Sequence, residues 1–226
     1  MKVSDALASR ITVRQFLDTP VPLETVKELI EASKRAPSGG NLQPWNVHVM
    51  TGAPLKALVD DVADKLQEGV SETPEYNVYP PELVDPYKTR RRVVGQALYD
   101  LIGVPREDTP GKLKQLSRNF RFFDAPVGLF FVLHRQMEIG QYADVGMFMQ
   151  SIMLLAREHG LHTCPQEAWA RWPDTVRAHL KLADHEMLFC GMALGYMDET
   201  ALINDLRTER ETFENFVTLH GFDDVE

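Results

Sequence analysis

Cysteine is scarce in this chain of 226 residues, where Cys164 and Cys190 are the only two and no CxxC spacing occurs. Two cysteines are too few for the disulfide framework of a small secreted protein. Long hydrophobic runs are also missing, since no uncharged apolar stretch approaches the roughly 20 residues that span a bilayer. The first residues lack the apolar core of a signal peptide. These absences favour a cytoplasmic protein with no membrane partner.

Basic residues are also fewer than acidic residues. The chain has 24 basic and 33 acidic residues, which gives a formal net charge of -9. Such a surface repels nucleic acid and anionic membranes unless a basic patch overrides the net charge. The only basic triplet is Arg90-Arg91-Arg92, and acidic residues lie on both sides of it. The sequence therefore predicts no nucleic-acid partner.

Several catalytic signatures are absent. No GxSxG, HExxH or GKS/T loop occurs. The glycine pair at 191–195 lies inside an apolar strand pattern, without the strand-turn-helix context of a dinucleotide fingerprint. The seven histidines, His159 and His162 among them, have no matching cysteine or acidic cluster. We therefore expect no metal site and no dedicated acid–base pair.

The hydrophobic pattern alternates between helical and strand periods without an internal repeat. It predicts helices at 22–36, 55–66, 92–101, 112–116, 141–159 and 174–182, and strands at 46–51, 126–133, 161–164 and 187–196. This order indicates an α+β or α/β fold in a single domain covering residues 1–226. The stretch 68–92 has four prolines, three tyrosines and little periodicity. It predicts a lid or binding loop within a variable excursion at about 68–120, and the tail at 198–226 is too polar for a core.

The predicted helix at 141–159 is the most apolar of the chain. Between residues 143 and 156 its only charge is Asp144. A helix that is apolar on nearly every side must be buried on nearly every side. It is therefore either a central core helix or a helix that also packs at a subunit interface, and the two interpretations are compatible.

Arginines near both ends of the chain are candidate anion ligands. Arg10 and Arg14 are four residues apart, which on a helical turn places both on one face, and Arg207 and Arg210 are three apart. Converging guanidinium groups suit a phosphate, although solvated surface charges would have the same spacing. The polar loop at 37–45 is a second candidate, because its glycines allow close backbone approach to a flat ligand.

Two segments carry a resemblance to a known family. Ser9-Arg10-Ile11-Thr12-Val13-Arg14-Gln15-Phe16 and Ala36-Pro37-Ser38-Gly39-Gly40-Asn41-Leu42-Gln43-Pro44-Trp45 closely resemble the nitroreductase family of FMN-dependent oxidoreductases. The segments 160–167, 191–196 and 207–217 resemble the later parts of that family in order. The resemblance implies an α+β fold with a central, mostly antiparallel sheet flanked by helices, and an intertwined homodimer that binds FMN tightly but non-covalently.

The resemblance also implies roles for individual residues. Arg10 and Arg14 would bind the FMN phosphate beside Ile11 and Thr12, although the family often has serine at one of these two positions. Arg210, with Arg207 in reserve, would complete the phosphate site. The partner subunit would contribute a loop to the flavin through Pro37, Ser38, Gly39, Asn41 and Gln43. Pro165 and Gln166 would lie beside Glu167, whose backbone amide would face the flavin N5.

The implied reaction is a ping-pong cycle. NADH or NADPH would give a hydride to the flavin, and a nitroaromatic or quinone-like acceptor would then be reduced on the same face. The cofactor carries the chemistry, which agrees with the absence of an acid–base pair. The candidate wall of the acceptor slot is aromatic: Tyr76, Tyr79, Tyr87, Phe120, Phe122 and Phe123. The residues 90–92 would attract a carboxylated acceptor or form an exposed helix start.

Two other functions remain open at this point. On the same fold, a reductive dehalogenase of halogenated tyrosine or phenols would use a lid with Glu82, Tyr87 and Lys88 in the appropriate region. A flavin-binding or flavin-storing protein without turnover would need nearly the same binding residues as an enzyme. Oxidation of reduced nicotinamide that depends on an added acceptor would separate the enzyme from the carrier.

Overall fold

The computed structural model describes residues 1–222, and its centre is a four-stranded sheet with the strand order β1-β2-β4-β3. The strands are β1 (Asn46–Thr51), β2 (Val127–His134), β3 (His162–Gln166) and β4 (Glu186–Gly195). All three neighbouring pairs are antiparallel. Strand β2 lies between two neighbours and is buried along nearly its whole length, which explains its continuous apolar sequence.

Within residues 1–222, seven α-helices flank this sheet. They are α1 (Val3–Ser9), α2 (Leu23–Ser33), α3 (Gly52–Gln67), α4 (Tyr87–Leu101), α5 (Thr109–Ser117), α6 (Ile139–Glu158) and α7 (Pro173–Leu180). None of them is long and apolar enough to cross a membrane. The predicted α+β fold, an antiparallel sheet flanked by helices, is confirmed.

The core forms two layers because successive side chains of β2 point to opposite faces of the sheet. Phe130 packs with Trp169 in the layer that α3 and α7 cover. Leu129 and Phe131 pack with Ile152 in the layer that α2 and α6 cover. The sheet is thus buried on both faces and offers only its edges to a ligand.

Helix α6 lies against the sheet, as the core interpretation of its sequence predicts. Its buried residues are Asp144, Val145, Phe148, Met149, Ile152 and Ala156. Another strip of the helix is open in the single chain, where Ile139 is 87% and Met147 40% exposed. The interpretation that α6 also packs at a subunit interface therefore has an apolar surface to support it.

The first part of the predicted lid is tied to the body of the protein. The carboxylate of Glu72 accepts a hydrogen bond from the Asp174 N–H at 2.7 Å, at the start of α7. Such a carboxylate satisfies backbone donors that the first helical turn leaves free. Glu75 forms ion pairs with Arg135 and Arg177. We call residues 72–76 the strap, and only the residues beyond it are free to act as a lid.

Helix α4 and strand β3 extend beyond their predicted bounds at positions near the site. Helix α4 begins at Tyr87 rather than at residue 92, because Asp85 accepts a hydrogen bond from the Thr89 N–H at 3.1 Å and caps the first turn. Strand β3 continues through Pro165 and Gln166, beyond its predicted end at residue 164. Proline lacks a backbone N–H, but β3 is an edge strand, where this missing donor does not have to pair with a neighbouring strand on each side.

The tail contributes to the core, contrary to the prediction from its polarity. Ile203 is 5% exposed and Asn204 is 4% exposed, and both lie in a short 3-10 turn, Leu202–Asp205. A second such turn is Phe213–Asn215. The last predicted tail residues, 223–226, lie outside the described part of the chain.

Candidate functional site

The segment that follows α1 runs along β3 in an extended conformation. The Val13 N–H donates to the Thr163 carbonyl at 3.2 Å, and Thr12 forms a parallel bridge with Thr163. The helical turn predicted for Arg10 and Arg14 is therefore wrong. In an extended backbone alternate side chains share a face, so both arginines still lie on one face with Thr12, while Val13 is buried on the other.

The extended conformation spreads the two arginines along the site. Four residues of strand span roughly 13 Å, whereas side chains four apart on a helix are about 6 Å apart. Arg10 directly follows α1, while Arg14 lies near Cys164. Burial raises the pKa of the Cys164 thiol to about 12, and the positive charge of Arg14 opposes that rise. The two guanidinium groups therefore serve different ends of the site.

Asn204 joins the two arginine-bearing ends of the chain. Its Oδ1 accepts from the Arg14 N–H at 2.8 Å, and its Nδ2 donates to the carbonyls of Gln15 at 2.8 Å and Asp198 at 2.9 Å. Its own carbonyl accepts from Nη1 of Arg207 at 2.7 Å. Sequence analysis missed this residue, because one asparagine in a polar tail carries no distinguishing signal.

Four arginines of this region have no acidic partner among the residues that the structure describes. Within residues 1–222, none of Arg10, Arg14, Arg207 and Arg210 forms a salt bridge. Burial lowers the pKa of Arg10, and the nearby charge of Arg210 lowers it further. Like charges that lie close together without a carboxylate, in a chain of net charge -9, indicate a binding site for an anion.

The end of β3 supplies backbone and amide groups beside Arg14. The bridge between Thr12 and Thr163 brings β3 alongside the segment that carries Arg14, and the charge of Arg14 acts on Cys164 of β3. Gln166 is buried and donates to the Asn119 carbonyl at 2.7 Å, while its Oε1 has no hydrogen-bond partner among residues 1–222. This buried acceptor lies where a bound molecule could supply a donor.

Glu167 opens the 3-10 turn Glu167–Arg171. As the first residue of the turn, it does not use its backbone N–H in the hydrogen bonds of the turn. Its side chain reaches solvent, yet the surrounding protein desolvates the carboxyl and raises its pKa. Trp169 in the same turn packs against Gly191, where any Cβ would collide with the indole ring. The turn is thus held firmly, and the hydrogen bonds of the turn leave its first N–H unused.

The predicted ligand loop is exposed but ordered by its own hydrogen bonds. The Gln43 N–H donates to Oγ of Ser38 at 3.0 Å, and Gln43 Nε2 donates to the Asn41 carbonyl at 3.3 Å. Gly40 and Asn41 adopt positive φ angles of 57° and 56°, a conformation that glycine and asparagine tolerate best. The loop therefore presents Pro37 and its neighbours to solvent in a defined shape.

Asp144 of α6 holds this loop. Both of its carboxylate oxygens accept from the Gly39 N–H, at 3.3 and 3.2 Å, and the side chain is 6% exposed. The other end of α6 contacts α1, where Arg157 donates to Ser9 at 3.3 Å. From Asp144 to Arg157 the helix rises roughly 20 Å. In one chain, the loop and Arg10 thus lie at opposite halves of α6.

Removal of the Asp144 carboxylate should loosen the loop. We expect Asp144→Ala to raise the hydrogen-exchange rate of the Gly39 and Leu42 amides about tenfold or more, because a hydrogen bond to a charged acceptor is lost. Asp144→Asn keeps an oxygen acceptor and should stay near the wild-type rate. Amide exchange measured by NMR checks this, and equal rates in the wild type and Asp144→Ala would contradict the role of Asp144.

The tyrosines of the excursion differ in how much of their side chains is exposed to solvent. The Tyr76 hydroxyl donates to the Phe189 carbonyl, and its ring packs on Phe189 with centroids 5.9 Å apart. Burial raises the pKa of Tyr76 far above its usual range. Tyr79 and Tyr87 are 49% and 58% exposed, and Arg91 lies 4.1 Å from the Tyr79 ring centroid. Tyr76 anchors the strap, whereas Tyr79 and Tyr87 present surface to solvent.

Phe123 lies in the core, which differs from the expectation that it walls an acceptor slot, whereas Phe120 is nearly buried but also borders a cavity. Phe120 packs edge-on against Trp169 and Trp172, and Phe123 is 2% exposed. Phe122 and Phe123 have positive φ angles of 50° and 52°. This strained conformation turns both consecutive rings inward. Phe123 thus has almost no surface left to offer a ligand.

A cavity of about 890 Å³ lies between α3, α5 and the strap. Phe120 and Trp172 form part of its apolar wall, and Arg121 and Arg171 add positive charge. Asn119, which precedes Phe120, bonds to Gln166 at the end of β3. The cavity therefore adjoins the segment that carries the free Glu167 amide, and it is large enough for a small aromatic molecule.

A comparison with family models decides the relationship of this chain. The model described as the nitroreductase family matches residues 7–196. The chain belongs to the nitroreductase family. The resemblance predicted from the two N-terminal segments is confirmed, and the matched range contains Arg10, Arg14, the loop at 37–43 and Glu167.

Named relatives of this nitroreductase family member are similar over nearly their whole length. The chloronitrobenzene nitroreductase of Comamonas testosteroni is 39% identical over 218 residues, which cover 96% of each chain. The 4-nitrobenzoate reductase of Pseudomonas putida is 38% identical and covers 96% of this chain and 95% of its own. The FMN and NADPH-dependent nitroreductase NfnB of Sphigopyxis sp. strain HMH superposes with a TM-score of 0.95 and 45% identity, covering 98% of this chain and all of that one.

Proposed function

We propose that this nitroreductase family member binds FMN and transfers hydride from NADH or NADPH to nitroaromatic or quinone-like acceptors. The observation that carries the proposal is a set of four arginines that form no salt bridge within residues 1–222: Arg10, Arg14, Arg207 and Arg210. A flavin phosphate would neutralise the closest of them. The relatives that act on chloronitrobenzene and 4-nitrobenzoate support the acceptor class.

Different arginines would bind different parts of the cofactor. Arg10 and Arg210 are close enough to interact, so they bind the phosphate, with Arg207 in reserve and Thr12 on the same face. Arg14 lies close enough to Cys164 of β3 for its charge to act on that thiol, so its charge would face the ring system rather than the phosphate. A fixed cation there stabilises negative charge that gathers on the pyrimidine end of a flavin.

The backbone N–H of Glu167 would donate a hydrogen bond to the reacting end of the flavin. FMN, when bound, supplies the acceptor and donor of hydride at N5, which is why the chain needs no acid–base pair of its own. The Glu167 N–H is left unused by its 3-10 turn and would donate a hydrogen bond at that position. Trp169 and Gly191 hold the turn rigid, so the donor does not reorganise during the reaction. Gln166 keeps a buried acceptor beside it.

We also propose a homodimer in which the loop of one subunit completes the flavin site of the other. The loop at 37–43 and Arg10 lie at opposite halves of α6 within one chain, so one copy does not bring them together. A second copy packed on the open strip of α6, near Met147, would. The exposed Phe213 and Phe216 of the tail, at 52% and 69%, would be covered by the same partner.

The acceptor binds over the flavin near the large cavity and the excursion. Tyr79 and Tyr87 have exposed faces on which a nitroaromatic ring can stack. Arg90 is paired with Glu211 at 2.7 Å, and Arg91 is stacked on Tyr79. These contacts favour the exposed helix start over a carboxylate-binding role for the basic triplet. The single domain at 1–226 and the cytoplasmic location remain part of the same proposal.

No specific observation favours the two alternatives. Glu82 and Lys88, considered for a dehalogenase lid, line a separate cavity of about 750 Å³. That cavity does not include Arg14 or the end of β3. A storage protein would bind FMN equally well, and it is therefore distinguished from an enzyme by turnover.

The deciding experiment is a spectrum followed by a turnover assay. We expect the purified protein to be yellow and to release about one FMN per chain on denaturation. NADPH oxidation should then require an added nitroaromatic such as 4-nitrobenzoate. A colourless protein that ignores added FMN would overturn the proposal, and FMN binding without acceptor-dependent oxidation would support the storage alternative instead.

A further inference from the structure

We infer that Asn204 is a positioning residue that sets the preference of the site for a phosphorylated flavin. The inference rests on the proposed function and concerns a residue that contacts neither ring nor phosphate. Its side chain is 4% exposed and uses both donor and acceptor to bind backbone alone. A buried amide that is satisfied in this way fixes the distance between the segments it joins.

The segments that Asn204 joins are those that carry the arginines. Three contacts reach the N-terminal segment or the turn before the tail: Arg14 N–H at 2.8 Å, the Gln15 carbonyl at 2.8 Å and the Asp198 carbonyl at 2.9 Å. The fourth contact, from its carbonyl to Nη1 of Arg207, orients the first arginine of the tail. Asn204 is thus the direct link between residues 10–15 and the tail arginines.

Such a link is needed because the arginines repel one another. Arg210 lowers the pKa of Arg10, so their like charges interact, and no carboxylate among residues 1–222 offsets them. Without a brace, the tail would move away until an anion arrived, and part of the binding energy of the phosphate would be spent on ordering it. Riboflavin has no phosphate, so it gains only from the bond between Asn204 and the Arg14 N–H and not from the placement of the tail arginines.

The ratio of FMN affinity to riboflavin affinity therefore isolates this role. We expect Asn204→Ala to lower that ratio about tenfold, with most of the change in FMN binding. Asn204→Asp keeps the acceptor for the Arg14 N–H but loses both donor contacts, and it should lower the ratio as well. Riboflavin binding by each variant shows that it is folded, because a general loss of structure weakens both ligands equally.

The tail provides a matched control. Asn215 donates to Glu211 at 2.8 Å within the tail and contacts no N-terminal residue, so Asn215→Ala should leave the ratio unchanged. Titration of the apoprotein with FMN and with riboflavin measures all four proteins. If both Asn204 variants keep the wild-type ratio, or lose both ligands equally, the inference is wrong. A wild type that binds neither ligand would instead refute the proposed function.

Discussion

Arg10→Ala is expected to lower the affinity for FMN by about 10- to 100-fold, because a charge-assisted contact to the phosphate is lost. Arg10 is partly buried beside Arg210 and forms no salt bridge with a carboxylate among residues 1–222. Its charge is therefore available in full to an anion. Arg10→Lys keeps the charge but not the planar fork, so its loss should be intermediate. Fluorescence titration of the apoprotein measures the dissociation constants.

The control for this variant is Arg35→Ala, which makes the same change in net charge at an exposed position after α2. It should bind FMN like the wild type. Arg14→Ala should differ from Arg10→Ala in a specific way, because Arg14 faces the ring end of the site. It should weaken FMN and riboflavin together. An Arg10→Ala protein that loses riboflavin as strongly as FMN would contradict the phosphate assignment.

The elements that the sequence predicts best are those determined by burial along a local stretch. The run predicted at 126–133 agrees closely with β2. The strand predicted at 46–51 also agrees with β1, although β1 is an edge strand in which only Met50 is buried. A central strand is buried on both sides, so its pattern is visible without knowledge of its partners. The same holds for α6, whose apolar sequence reflects its place against the sheet.

The arginine motif shows where local patterns stop being informative. A spacing of four residues puts Arg10 and Arg14 on one face in a helix and also in an extended chain. The bond between Val13 and Thr163 selects the extended form, and Thr163 lies far along the sequence. The spacing therefore made both arginines candidate ligands, but the helical turn on which they were placed is not the local structure of the segment.

Asp144 and Asn204 illustrate a second limit. The sequence marks Asp144 as the one charge of an apolar stretch, but only the fold identifies the Gly39 N–H as its partner. For Asn204, even that contrast is missing, since its neighbours are polar. For Phe123, the sequence pointed to a role that the fold does not support. Its positive φ turns its ring inward, whereas the sequence alone placed that ring at a binding surface.

Glu167→Pro is expected to slow hydride transfer from NADPH by about 100- to 1000-fold, the range seen when a backbone donor to developing charge is removed. Proline lacks the N–H in question and is tolerated at the first position of a helical turn. Gln166, which precedes it, has φ -139° and ψ 84°, outside the helical region that a following proline disfavours. The turn should therefore keep its place while it loses one donor.

Glu167→Ala separates the backbone from the side chain. It removes the carboxyl, whose pKa the surrounding protein raises, but it retains the N–H, so the rate should stay within about threefold of the wild type if the backbone carries the effect. Stopped-flow reduction of the bound flavin by NADPH measures both variants directly. A proline variant with full FMN and an unchanged rate would show that the amide is not used. An alanine variant as slow as the proline variant would move the role from the backbone of Glu167 to its carboxyl.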